Sequence, residues 1–212
     1  MSDRPDKQYP NRRDALKAMG AGAFGLGAAY GVTPKALERF YETLAQGQYE
    51  YVFFTPDELA AIRILADMII PRDEVSGSAT DAGTVEYVDF VLSVSNDETQ
   101  QRWRDGLAWL DAECHRRFTS GYVSCTDEQR GQIVDDIAWP RRAREEFTEQ
   151  VEWFNAVRNL VASGFFSSEM GVRDLGYIGN VFNPNWQGAP QQALDELGVN
   201  YEEWDRRYGD RR

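Results

Sequence analysis

The stretch Thr55-Pro56-Asp57-Glu58, running into LAAIRILADMIIP, constrains this chain more than any other because it specifies both ends of one helix. The Thr55 side chain can accept from a first-turn amide, and Pro56 suits the first helical position, where no amide is needed. Glu58, three residues after the cap, can reach back to the Thr55 amide and complete a capping box. Leu59, Ile62, Leu65, Met68 and Ile69 then fall on one stripe, and Pro71 stops the helix. A helix apolar along one stripe must be covered by other apolar faces.

Neighbouring segments offer such faces. Thr33-Pro34 opens KALERFYETLA, with Leu37, Phe40, Tyr41 and Leu44 on one side. After the polar loop RDEVSGSATDAG, the run TVEYVDFVLS reads as a short buried helix. DETQQRWRDGLAWLDAECHRRF predicts a long helix with Trp103, Leu107, Leu110 and Cys114 in register, interrupted at Gly121-Tyr122. Thr126 with Gln129 repeats the capping box. RAREEFTEQVEWFNAVRNLVASG predicts another long helix, with Phe147, Val151, Phe154, Val157 and Val161 inward. No internal repeat and no strand-rich region interrupts this pattern. The expected fold class is all-α, an irregular helical bundle, with one helical domain over residues 33–212. From Gly164 the pattern lapses into GFFSSEMGVRDLGYIGNVFNPNWQGAP, a long glycine- and aromatic-rich C-terminal loop of the kind that usually carries function or a partner. Gly176, Gly179 and Gly188 suit turn positions with positive φ. A terminal helix, YEEWDRRYG, is expected after it.

Residues 1–32 read differently. GAGAFG is a literal G-x-G-x-x-G at Gly20, Gly22 and Gly25, but no β-branched strand leads into it and no second strand ending in an acid follows. A dinucleotide fingerprint needs that context, so a nucleotide site is not supported. Instead Arg12-Arg13 precede a weakly apolar Ala/Gly segment, Ala18 to Val32, with small residues Gly27-Ala28-Ala29 near its end. The arrangement looks like a twin-arginine export signal, whose cargo crosses the membrane already folded. At about 15 residues the segment is shorter than the ~20 a bilayer span needs. Ala15 departs from the bulky apolar residue such signals often carry, while Leu16 and Lys17 fit.

The chemical inventory is sparse. Of 212 residues one is histidine, His115, beside Arg116 and Arg117, and a lone histidine is more often surface or core than catalytic. There is no G-x-S-x-G, P-loop, H-E-x-x-H, C-x-x-C or Glu-x-x-His pair. No catalytic, cofactor-binding or metal residue is therefore assigned. A stand-alone periplasmic hydrolase working with two carboxylates stays open as an alternative, because nothing singles out a pair among 35 acids. Asp135-Asp136 and Glu145-Glu146 are adjacent, and are expected to face solvent. Residues 1–34 hold five of the 23 basic and three of the 35 acidic groups, leaving 18 against 32, a net of −14. Such a surface repels phosphate backbones, so no nucleic-acid partner is expected. Cys114 and Cys125 would permit a disulfide across a helix end in an oxidising compartment; free buried thiols are the alternative, and spacing does not decide.

Three blocks together carry a resemblance: Thr55-Pro56 through Ile70-Pro71, then Gly164-Phe165-Phe166, then Gly176-Tyr177-Ile178-Gly179-Asn180 with Trp186-Gln187-Gly188-Ala189-Pro190. In that order, over roughly residues 52–190, the chain resembles the gluconate 2-dehydrogenase subunit 3 family, the small subunits of periplasmic FAD-dependent sugar and sugar-acid dehydrogenases. The resemblance implies a large catalytic partner of the glucose-methanol-choline (GMC) family holding FAD and the catalytic histidine, and a cytochrome c subunit or another electron carrier. It implies no cofactor in this chain, a periplasmic location, and contact with the membrane only through translocation or the complex. The small subunit would supply the export signal and stabilise the flavoprotein. A scaffold for another redox partner is the remaining alternative.

Aromatic side chains dominate interface anchors because each buries a large area at little entropic cost. Phe165, Phe166, Tyr177, Phe182 and Trp186 are thus candidate partner contacts, unless they fold back to fill the bundle's own core.

Overall fold

The computed structural model describes residues 30–177, 188–202 and 206. Eight α-helices form among them and no strand does: α1 Pro34–Ala45, α2 Pro56–Ile69, α3 Thr84–Ser93, α4 Asp97–Phe118, α5 Asp127–Ala138, α6 Thr148–Ser167, α7 Glu169–Asp174 and α8 Gln191–Leu197. The chain divides into two compact units between Tyr177 and Ile178.

The caps do what the sequence dictates. Thr55 accepts from the Glu58 amide while Glu58 Oε2 accepts from the Thr55 amide at 2.9 Å. Thr126 and Gln129 make the same reciprocal pair at α5, and Thr33 caps α1. Each such cap contributes on the order of 1 kcal/mol.

In the first unit α3 and α6 form the centre. Seven of the ten α3 residues are buried, the polar Thr84 and Asp89 among them. α6 packs against α2, α3, α4, α5 and α7. Val157, Val161 and Phe165 of α6, Leu110 of α4, and Ile133 and Ile137 of α5 are all essentially sealed from solvent. Fully burying such a side chain contributes roughly 1.5–3 kcal/mol.

One buried acid organises the approach to α2. Asp89, completely sealed, accepts from the amides of Val52, Phe53 and Phe54 at 2.9, 3.0 and 2.9 Å, and from the Tyr49 hydroxyl at 2.6 Å. Three converging amides and the Tyr49 hydroxyl satisfy the oxygens of this buried side chain. Arg104 of α4 then ties down the start of α2. Its guanidinium donates to both Glu58 oxygens at 2.8 and 2.7 Å and to the Phe53 carbonyl at 2.9 Å.

Two expectations need correction. The helix expected from Arg142 begins at Thr148, after a turn over 139–144 and a 3-10 turn Glu145–Phe147 that seats the Phe147 ring in the core. The irregular stretch expected from Gly164 also starts later. α6 runs through Gly164 to Ser167, and α7 follows at once, capped by Ser168, whose Oγ accepts from the Gly171 amide at 3.1 Å. The helix persists because Phe165, 1% exposed, still points at the core. The second unit contains α8, which the sequence pattern did not reveal. Within it the Tyr201 hydroxyl accepts from the Ala189 amide at 2.7 Å. Most of the helix expected from Tyr201 lies outside the described residues, as do Arg12 and Arg13.

Candidate functional site

The residues expected to meet a partner separate by depth. Phe165 is a core residue, a correction to its assignment as an interface anchor: its helical position turns it inward while the next residue turns out. Phe166 remains 41% exposed, its ring edge-on to Phe165 at 5.2 Å, and Tyr177 is 52% exposed. Phe182 and Trp186 lie outside the described residues. Leu175, at 61% exposure, joins this face and went unrecognised in the sequence, although it stands two residues before Tyr177 in the same glycine-rich block.

α7 sets the geometry of this face. It lies so close to the end of α6 that a Cβ on Gly171 would fall 2.1 Å from the Phe165 carbonyl oxygen. The helix ends at Leu175, and Gly176 turns the chain with φ 62° while its amide donates to the Arg173 carbonyl at 2.9 Å. Leu175 and Tyr177 are thereby presented outward.

Opposite α7 lies the loop that follows α2. It is pinned by its own Asp73 and Asp81 and by Asp67 of α2. Asp73 accepts from the amides of Val75 and Ser76 at 2.7 and 2.8 Å. Asp81 accepts from the Ser78 amide at 2.8 Å and from Arg72 at 2.6 Å, and Asp67 accepts from the Thr80 amide at 2.8 Å. Backbone donation from Ser76 and Val75 holds the Asp73 carboxyl below the usual range, and donation from Ser78 does the same for Asp81. Both acids are committed to loop geometry. Between loop and helix runs an open groove of about 480 Å³, walled by Val75, Gly77, Asp81, Met170, Arg173 and Asp174 among others. Val75 projects at its rim, 76% exposed.

Elsewhere several ionisable groups are engaged in structural pairs. Glu113, 7% exposed, accepts from Arg116 at 2.6 and 2.7 Å and from Arg117 at 2.6 Å. Those guanidiniums, Arg116 first, outweigh burial and hold its carboxyl down at about 2. Arg117 also reaches Asp136 at 2.7 Å, so Asp136 is half-buried and paired where solvent exposure was expected. Glu145 and Glu146 are exposed. Arg63 donates to Tyr51 at 2.9 Å, and Tyr51 donates to Glu86 at 2.5 Å. Burial first, then Glu86, push the Tyr51 hydroxyl up to about 12. His115 is exposed, with Nδ1 2.9 Å from the Asp111 carbonyl oxygen and 3.2 Å from its carboxylate. Among the described residues no group of three or more His, Cys, Asp or Glu side chains could hold a metal, and no helix is long and apolar enough to cross a membrane. Cys114 and Cys125 are free thiols, both buried.

Val75 is thus exposed at the groove, and Phe166, Leu175 and Tyr177 are exposed in the segments just before and after α7, which walls it. The comparisons with known proteins bear on the same region. A family model described as gluconate 2-dehydrogenase subunit 3 matches residues 56–184, from the first residue of α2 through the groove and beyond α7. No curated protein and no solved structure matches the chain.

Proposed function

Because the chain belongs to the gluconate 2-dehydrogenase subunit 3 family, we propose that it is the non-catalytic small subunit of an FAD-dependent dehydrogenase acting on the CH–OH groups of a sugar or sugar acid. The large partner, of the GMC oxidoreductase family, holds the flavin and the catalytic residues, and a cytochrome c or another carrier accepts the electrons. This chain stabilises the flavoprotein and carries the twin-arginine signal that exports both to the periplasm.

The family match carries the reading, and the outward-facing Phe166, Leu175 and Tyr177 beside the groove support it. Exposed aromatic and aliphatic anchors around a preformed depression suit a permanent protein partner. Folded export also fits a passenger loaded with flavin before it crosses the membrane.

Replacing Arg12-Arg13 by Lys-Lys in cells that make both chains tests the export role. Flavoprotein and dehydrogenase activity should then stay in the cytoplasm. Export of the flavoprotein at the wild-type level would contradict the passenger relationship.

A further inference from the structure

Cys114 and Cys125 flank the turn that joins α4 to α5, and both lie in the core, at 0% and 3% exposure. That turn is held from several sides. Asp111 accepts from the Tyr122 amide at 2.8 Å, and Arg130 of α5 donates to the carbonyls of Tyr122 and Val123 at 3.1 and 2.7 Å. The Tyr122 hydroxyl donates to Met68 Sδ of α2 at 3.4 Å. Thr119 adopts the left-handed region, φ 56°, to fold the chain back over the last turns of α4. This fixed reversal sets the Cys125 thiol near enough to Cys114 to bear on it, and Cys125 Sγ donates to the Ser120 carbonyl at 3.7 Å.

We propose that Cys114 and Cys125 are a modification site: they close to an intramolecular disulfide by exchange with an external disulfide, and do so while the chain folds rather than afterwards. One cysteine thiolate attacks the external disulfide, forming a mixed disulfide and releasing one small thiolate. The second cysteine thiolate attacks the mixed disulfide and releases the other. Two electrons pass to the external disulfide, and the two cysteine protons are taken up by the departing thiolates.

Timing follows from burial. The core encloses both sulfurs, so no external disulfide reaches them in the folded chain. Desolvation, with the neighbouring thiol, pushes Cys114 up to about 12, leaving little thiolate to react. A chain that folds among reduced thiols therefore keeps them, wherever it travels next. A chain that folds in the presence of an oxidising disulfide acquires the bond. The bond thus records the compartment of folding. On the folded-export reading above, chain folded in a reducing cytoplasm arrives with both thiols. The proposal itself does not depend on the partner assignment.

The test is refolding of the full chain from denaturant in a buffer of oxidised and reduced glutathione, followed by alkylation under denaturing conditions and intact mass. The product should keep its helical circular dichroism, lose both alkylatable thiols and weigh two hydrogens less, without a glutathione adduct. The same buffer applied to chain already folded with reduced thiols should oxidise it more slowly, by roughly tenfold or more. Cys114→Ser should leave the Cys125 thiol without an intramolecular partner and show no loss of two hydrogens. If refolding gives no native chain, expression in a cytoplasm that permits disulfides, with alkylation at lysis, gives the same mass reading. Native-like chain retaining two alkylatable thiols, intermolecular dimers, or a bond that forms only with loss of helix would each overturn the proposal. Oxidation of prefolded chain at the refolding rate would overturn its timing.

Discussion

A Cβ on Gly106 would fall 2.1 Å from Cε2 of Trp153, so α4 and α6 cross with the indole set directly against the backbone of α4. Both residues are buried, Trp153 at 2% exposure. No side chain larger than hydrogen fits there without displacing the Trp153 indole.

Gly106→Ala should therefore destabilise the chain by about 1–3 kcal/mol or more, although alanine is the better helix former. Urea unfolding followed by circular dichroism measures it. An unchanged midpoint would mean that the two helices do not cross this closely.

Asp89 is expected to be the most sensitive polar residue. Asp89→Ala leaves three backbone amides and the Tyr49 hydroxyl without their acceptor, a loss of at least about 3 kcal/mol, since each buried unsatisfied group costs ~1–3 kcal/mol. Asp89→Asn should recover only part of it, because its amide NH2 turns a donor toward donors. Thermal unfolding of the pair distinguishes this ordering from a purely steric one.

Glu113 gives a pH signature. Its folded carboxyl titrates near 2 against an ordinary 4.5, so its ion pairs contribute stability above about pH 4.5 and lose it as pH falls toward 2. Glu113→Gln should lower stability at neutral pH and flatten the decline between those values. Parallel slopes for wild type and variant across that window would contradict the pairing with Arg116 and Arg117.

Neighbouring residues at the end of α6 and beyond α7 should behave oppositely. Phe165→Ala should cost about 3–5 kcal/mol of stability as a core cavity. Phe166→Ala and Leu175→Glu should change stability by no more than ~0.5 kcal/mol while weakening capture of the large subunit. Unfolding curves and co-purification yield, measured on the same variants, separate the two roles.

The helices were legible where chemistry is local. Thr55 with Glu58, and Thr126 with Gln129, announce helix starts that the structure contains, and the stripe Trp103, Leu107, Leu110, Cys114 is buried as its spacing requires. The family was legible in the ordered blocks of the same segments. What stayed hidden depends on distant partners. Nothing near Asp89 in sequence announces that amides some 35 residues earlier will converge on it. Phe165 and Phe166 are identical by composition, and only the continuation of α6 past Gly164 decides which faces the core. Asp136 looked solvated because its partner, Arg117, lies on another helix.

The central claim is that this chain works through a flavoprotein companion. Co-expression with the candidate large subunit, purification through a tag on this chain, and absorbance near the flavin bands test it most directly. A yellow complex that oxidises a sugar or sugar acid with a dye acceptor, set against colourless and inactive isolated chain, is the predicted result. Sugar oxidation by the isolated chain, or purification of the flavoprotein with none of this chain attached, would contradict it.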